Sequence, residues 1–148
     1  MSSGITTGHV GLNVTDLDRS VDFYRRALGV DVVGRSDADG RHYAFLGRDG
    51  VLMITLWQQS GAPFAADRAG LHHLSFQVAD VAALEQVEQR VRELGADIRD
   101  DSGLPGESAA AGQLFFYDPD GIRLEVYAEQ RPARPAATAD AAPACGFF

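Results

Sequence analysis

The segment His9-Val10-Gly11-Leu12-Asn13-Val14-Thr15-Asp16 returns 64 positions later as His73-Leu74-Ser75-Phe76-Gln77-Val78-Ala79-Asp80, matched in residue character place by place. A repeat constrains the fold more than any composition figure, because two copies of one pattern call for two copies of one local structure. Each opening stretch alternates. His9, Gly11 and Asn13 fall on one face and Val10, Leu12 and Val14 on the other; His73, Ser75 and Gln77 oppose Leu74, Phe76 and Val78. Period-two alternation predicts a half-buried strand over 8–14 and another over 71–78.

In the first copy Asp16 is placed to cap a helix carrying Leu17, Val21, Tyr24 and Leu28 on one face, with Gly29 as its stop. Strands are expected near 30–36, 41–47 and 50–58, parted by the turn pairs Asp39-Gly40 and Asp49-Gly50. In the second copy Asp80 precedes a helix over 81–94 with Val81, Leu84, Val87, Val91 and Leu94 inward and Gly95 at its end. Strands near 96–100, 112–118 and 121–128 follow, the last two joined around Asp120-Gly121. Asp101 to Ala111, rich in Gly, Ser and Ala, reads as an insertion at the edge of a ligand site. The fold class is therefore α+β: two tandem β-α-β-β-β modules forming a concave antiparallel sheet cup with helices outside. Residues 1–129 are expected to form a single domain of two repeats, about 5–60 and 69–129. Residues 130–148, rich in Ala and Pro, read as a disordered tail.

Composition excludes several partners. Net charge is −8, Lys is absent and the Arg are scattered, so no basic surface for nucleic acid is expected. No apolar run is long enough to span a bilayer. The single Cys145 rules out an intrachain disulfide framework, so a cytoplasmic location is expected. A small-molecule ligand remains as the expected partner.

A sheet with its helix on one face leaves the other face to be buried or to curl around a ligand. On that second face both copies begin with His, and the closing strand alternates Ile122, Leu124 and Val126 with Arg123, Glu125 and Tyr127. Two imidazoles and a carboxylate suit a divalent ion with positions left open for substrate. Polar residues facing water are the plainer explanation of such alternation, but here the polar face repeats with the same residue type at the same place in both copies.

These residues, with Val14-Thr15-Asp16-Leu17, Phe23-Tyr24, Leu28-Gly29, His72-His73-Leu74-Ser75-Phe76 and Asp118-Pro119-Asp120-Gly121 before Glu125, give a sequence that resembles the vicinal oxygen chelate superfamily over 8–128. That superfamily includes glyoxalase I, extradiol dioxygenases, fosfomycin-resistance enzymes and bleomycin-binding proteins. The resemblance implies His9, His73 and Glu125 as metal ligands, with His72 turned to the helix side or the rim. It implies a divalent metal, Fe(II) as first choice with Mn, Ni or Zn as alternatives, and a homodimer.

Departures from the subfamily patterns narrow the choice without settling it. The glyoxalase-type fourth carboxylate, counted four past Gly50, falls on Ile54, and Leu52 to Gln59 hold no acid. The extradiol second-sphere Tyr is replaced by Phe115, and no His lies between His73 and Glu125. Pro132 and Pro135 break the segment where fosfomycin-modifying enzymes carry a basic helix. Bleomycin-type binders lack the metal triad. The expected function is a metal-dependent enzyme, dioxygenase-like or isomerase/lyase-like, acting on a small hydrophobic or aromatic substrate. The alternative is a drug- or metabolite-sequestering protein. Asn13, Trp57, Gln77, Gln113, Phe115 and Arg123 are the expected substrate contacts, with Leu46, Leu56 and Tyr117 as further apolar lining. His42, aligned with Gln113 and on the face of Ala44 and Leu46, is the candidate catalytic acid/base.

Overall fold

The computed structural model describes residues 4–99 and 112–129. The expected insertion 101–111 and tail 130–148 lie outside the described residues. The chain divides into two compact units, residues 1–63 and 64–148.

Unit 1 runs β1 (Val10–Val14), α1 (Leu17–Leu28), β2 (Asp31–Ser36), β3 (Tyr43–Arg48) and β4 (Val51–Gln58). Its four strands lie in the order β1-β4-β3-β2. Helix α1 starts where Asp16 accepts a hydrogen bond from the Arg19 N–H and stops at Gly29, whose φ of 68° suits glycine. It carries the chain to the far edge of the sheet, and the β2-β3-β4 meander brings it back beside β1. The returning strand β4 is parallel to β1, while β2-β3 and β3-β4 are antiparallel. The sheet is thus mixed rather than wholly antiparallel, as a helical crossover requires.

Unit 2 repeats the plan with β5 (Leu74–Val78), α2 (Val81–Glu93), β6 (Ile98–Arg99), β7 (Gln113–Tyr117) and β8 (Arg123–Ala128). Its strand order is β5-β8-β7-β6, with β5 parallel to β8. Asp80 caps α2 through the Ala83 N–H. Both opening strands are shorter than the alternation predicted, so His9 and His73 stand immediately before β1 and β5 rather than inside them.

Each core lies between a helix and one face of its sheet. In unit 1, Leu12, Val14, Ala44, Leu46, Ile54 and Leu56 are buried on that face. The register joins Leu12 to Leu56, Leu56 to Ala44 and Ile54 to Leu46, and cross-strand partners share a face. Leu46 and Leu56 therefore belong to the helix-side core, and their expected place in the ligand lining is corrected. In unit 2 the same layer is Leu114, Phe116, Leu124, Val126 and Ala128, all buried. Burying each large side chain contributes roughly 1.5–3 kcal/mol. Among the described residues no helix is long and apolar enough to cross a membrane.

Candidate metal centre

The register of the parallel pairs aligns the copies directly. Val10 lies opposite Ile54 and Gly11 opposite Thr55, while Leu74 lies opposite Leu124 and Ser75 opposite Glu125. The place matching Glu125 in unit 1 is therefore Thr55, not Ile54. Counting from the turn glycine fails because the two hairpins differ. Asp49 and Gly50, both at positive φ, form a two-residue turn between Arg48 and Val51, and the ladder shifts register at Gly47. Gly47 is required there, since a Cβ would lie 2.3 Å from the Val51 carbonyl oxygen. In unit 2 the turn is longer and is organised by buried Asp118, whose Oδ1 accepts from the N–H groups of Asp120 and Ile122 at 2.9 and 2.8 Å. Thr55 is no acid either, so unit 1 still lacks a carboxylate at this place.

On the face of the unit 2 sheet away from α2, Glu125 is 3% exposed. The Ser75 hydroxyl donates to its Oε2 at 2.7 Å. Nε2 of His73 lies 3.5 Å from the same oxygen. Two donors about 2.1 Å from one ion at a tetrahedral angle stand about 3.4 Å apart, so this pair fits an ion held between imidazole and carboxylate. Burial holds the His73 imidazole below its ordinary pKa; Glu125 opposes the shift, and His72 and Arg123 add to it. A neutral imidazole is the form that binds metal. The other ring nitrogen of His73 meets His72.

Arg123 and Gln113 share this face and are each 5% exposed. The Arg123 guanidinium carbon lies 4.6 Å from the centroid of the Phe115 ring, a cation–π contact in a buried setting. The Tyr127 hydroxyl donates to Gln77 Oε1 at 3.2 Å. Gln77, Gln113, Phe115, Arg123 and Glu125, all singled out in the sequence, are thus gathered with His73 in one unit. Ser75, which holds Glu125, was not singled out; its place two residues after His73 on the same face was the available signal.

The corresponding face of unit 1 is aromatic. Tyr43 and Phe45 stack with centroids 5.1 Å apart, and Trp57 joins them at 4.9 Å from Tyr43. The Trp57 N–H donates to Thr55 Oγ1 at 3.0 Å. Asn13 accepts from the Gln59 N–H at 2.8 Å, so its side chain closes the end of the strand. Tyr43 pairs with Trp57 as Gln113 pairs with Tyr127, so Tyr43 and not His42 occupies the Gln113 position. His42 precedes β3, is 41% exposed at the side chain, and bonds Asp37 at 3.1 Å. Its expected alignment is corrected by one residue, which also explains why Tyr43 and Phe45 were missed. His9 is exposed at the start of β1. Among the described residues no three His, Cys, Asp or Glu side chains are gathered closely enough to hold one metal ion.

A family model described as the Glyoxalase/Bleomycin resistance protein/Dioxygenase superfamily matches residues 6–126. Among curated proteins the chain is 30% identical to a probable chloroplastic lactoylglutathione lyase of Arabidopsis thaliana and 29% identical to a catechol-2,3-dioxygenase of Bacillus subtilis. The matches take in 80% and 83% of this chain but only 34% and 41% of those relatives, so the chain spans well under half their length. A glyoxylase/bleomycin resistance protein/dioxygenase domain from Frankia sp. EAN1pec superposes with a TM-score of 0.69 at 32% identity, over 88% of this chain and 94% of that one. The fosfomycin resistance protein FosX of Listeria monocytogenes, solved with Mn(II) and sulfate, superposes with a TM-score of 0.63 over 88% of this chain and 95% of that one. At 20% identity that last likeness is one of fold.

Proposed function

Since the chain belongs to the glyoxalase/bleomycin resistance protein/dioxygenase superfamily, we propose that it is a metal-dependent enzyme acting on a small hydrophobic or aromatic substrate with vicinal oxygens. His9, His73 and Glu125 are the proposed ligands, Fe(II) the first choice of metal and Mn, Ni or Zn the alternatives. The observation that carries this reading is the buried Glu125, held by Ser75 and set 3.5 Å from Nε2 of His73. A homodimer with two equivalent sites is part of the same proposal.

A divalent ion in such a site supplies Lewis acidity toward the substrate oxygens. The protein's own side chains do the rest. Ser75 donates to one carboxylate oxygen and so fixes the plane of Glu125. Burial favours the neutral form of His73. Arg123, held over Phe115, presents positive charge toward an anionic or enolic oxygen. Gln77 and Gln113 orient polar substituents. Trp57, with Tyr43 and Phe45, offers ring faces to an apolar or aromatic portion. His42, whose Nδ1 meets Asp37, would serve as acid/base through its other ring nitrogen, Nε2.

The same aromatic face favours a second reading, a sequestering protein that holds rings without turning them over. One experiment separates the two. Metal content and substrate-panel turnover (catechols and 2-oxoaldehyde hemithioacetals) are measured for the wild type, His73→Ala and Glu125→Gln. The enzyme reading expects stoichiometric metal in the wild type, none in either variant, and turnover lost with it. Equal metal content in all three would overturn the metal site. Unchanged ligand affinity in both variants, with no turnover in any, would establish sequestration.

A further inference from the structure

His72 is exposed, immediately before His73. Its Nδ1 lies 2.7 Å from Nδ1 of His73, and the two rings meet edge to face with centroids 5.0 Å apart and planes at 78°. The contact engages one of the two nitrogens of His73. The other, Nε2, is the one 3.5 Å from Glu125.

An imidazole turns about its Cβ–Cγ bond between two roughly equivalent orientations. Turning it by half a revolution exchanges Nδ1 with Cδ2 and Nε2 with Cε1. In one orientation His73 offers a nitrogen to Glu125; in the other it offers a carbon. A hydrogen bond at Nδ1 exists in only the first. From this geometry we infer that His72 is a positioning residue, whose bond to His73 selects the ring orientation that turns Nε2 toward Glu125. The inference rests on the reading of His73 and Glu125 as metal ligands.

Histidine suits this role because a neutral ring carries one donor and one acceptor. When Nε2 of His73 bears the proton and faces Glu125, Nδ1 accepts and His72 donates. When Nε2 gives its lone pair to an ion, Nδ1 bears the proton and His72 accepts. A partner that works in both directions holds the ring before and after metal arrives. Hydrogen-bonded partners of metal-bound imidazoles orient the ring and affect affinity, by about 10- to 100-fold on removal.

The test is Co(II) titration of metal-depleted protein, followed by the visible absorption of the bound ion. His72→Asn keeps a group that donates or accepts by turning its amide; His72→Leu and His72→Ala keep neither. Asn is expected to bind Co(II) close to wild type with the same absorption band. Leu and Ala are expected to bind about 10- to 100-fold more weakly with a shifted band, while their metal-free thermal midpoints stay at the wild-type value because His72 is exposed. Leu and Ala binding as tightly as wild type would overturn the inference, as would Asn falling with them. So would Co(II) retained by His73→Ala but lost from His72→Leu, which would make His72 itself the ligand. Co(II) bound equally by wild type, His73→Ala and Glu125→Gln is a different outcome. It removes the metal reading, and this inference with it.

Discussion

The two units share a strand order, a helix crossover and an aspartate cap, yet the faces turned away from their helices differ in the charge they bury. In unit 2 that face carries Ser75, Gln77, Gln113, Arg123 and Glu125, several of them deeply buried. In unit 1 the places of Ser75, Gln77, Gln113 and Glu125 hold Gly11, Asn13, Tyr43 and Thr55, while Phe45 and Trp57 stand where unit 2 has Phe115 and Tyr127. Ser75 beside Glu125 is a donor facing a carboxylate; Gly11 beside Thr55 leaves a hydroxyl that accepts from the Trp57 indole instead. One backbone plan thus carries rings at matching places in both copies, and the copies differ in the buried charges of Arg123 and Glu125 that unit 2 adds. The backbone sets where the side chains converge, and one strand pair decides what they do there.

Grafting the charged pair into the aromatic copy should produce the largest effect. Thr55 is 3% exposed and lies opposite Gly11, which can donate nothing from a side chain. Thr55→Glu buries a carboxylate without its serine and should destabilise the protein by about 3–5 kcal/mol in denaturant unfolding. Adding Gly11→Ser should recover part of the loss. If Thr55→Glu is tolerated alone, the unit 1 face is wetter than its burial implies and the contrast weakens.

The reverse test removes the donor from unit 2. Ser75→Ala leaves Glu125 buried without that hydrogen bond and should cost about 1–3 kcal/mol at neutral pH. In a Glu125→Met background the same substitution should cost less than about 0.5 kcal/mol, as for an exposed position without a partner. Equal costs in both backgrounds would show that Ser75 does not act through Glu125.

The smallest expected effect is on pH dependence. The folded pKa of His73 is held below its ordinary 6.5, chiefly by burial. Between the two values the unfolded chain binds more protons than the folded one, so stability rises with pH across that window. The contribution is fully present above 6.5 and is lost as pH falls through the folded value. Denaturant midpoints of metal-free protein, taken from about pH 5 to about pH 8, should therefore climb more steeply in wild type than in His73→Gln. Parallel curves would mean that the imidazole is no less solvated folded than unfolded.

Local patterns determined most of what the sequence by itself could determine. Alternation over 10–14 and 74–78 assigned inner and outer faces because a strand's period of two leaves no other arrangement. Asp16, Asp80 and Gly29 marked helix ends because unsatisfied backbone groups require them there. The resemblance to the superfamily, rather than the repeat alone, names His73 and Glu125 together, and the structure sets them 3.5 Å apart. Register was decided only by the tertiary structure. A two-residue turn at Asp49-Gly50 with a bulge at Gly47, against a longer Asp118-centred turn, displaces the two hairpins by one residue. A displacement of one residue exchanges the faces of a strand. That is why Leu46 and Leu56 proved to be core, why Tyr43 rather than His42 matches Gln113, and why the counterpart of Glu125 is Thr55. Contacts between side chains, such as Ser75 with Glu125 and His72 with His73, lie beyond any spacing rule because they depend on which rotamers the packed sheet allows.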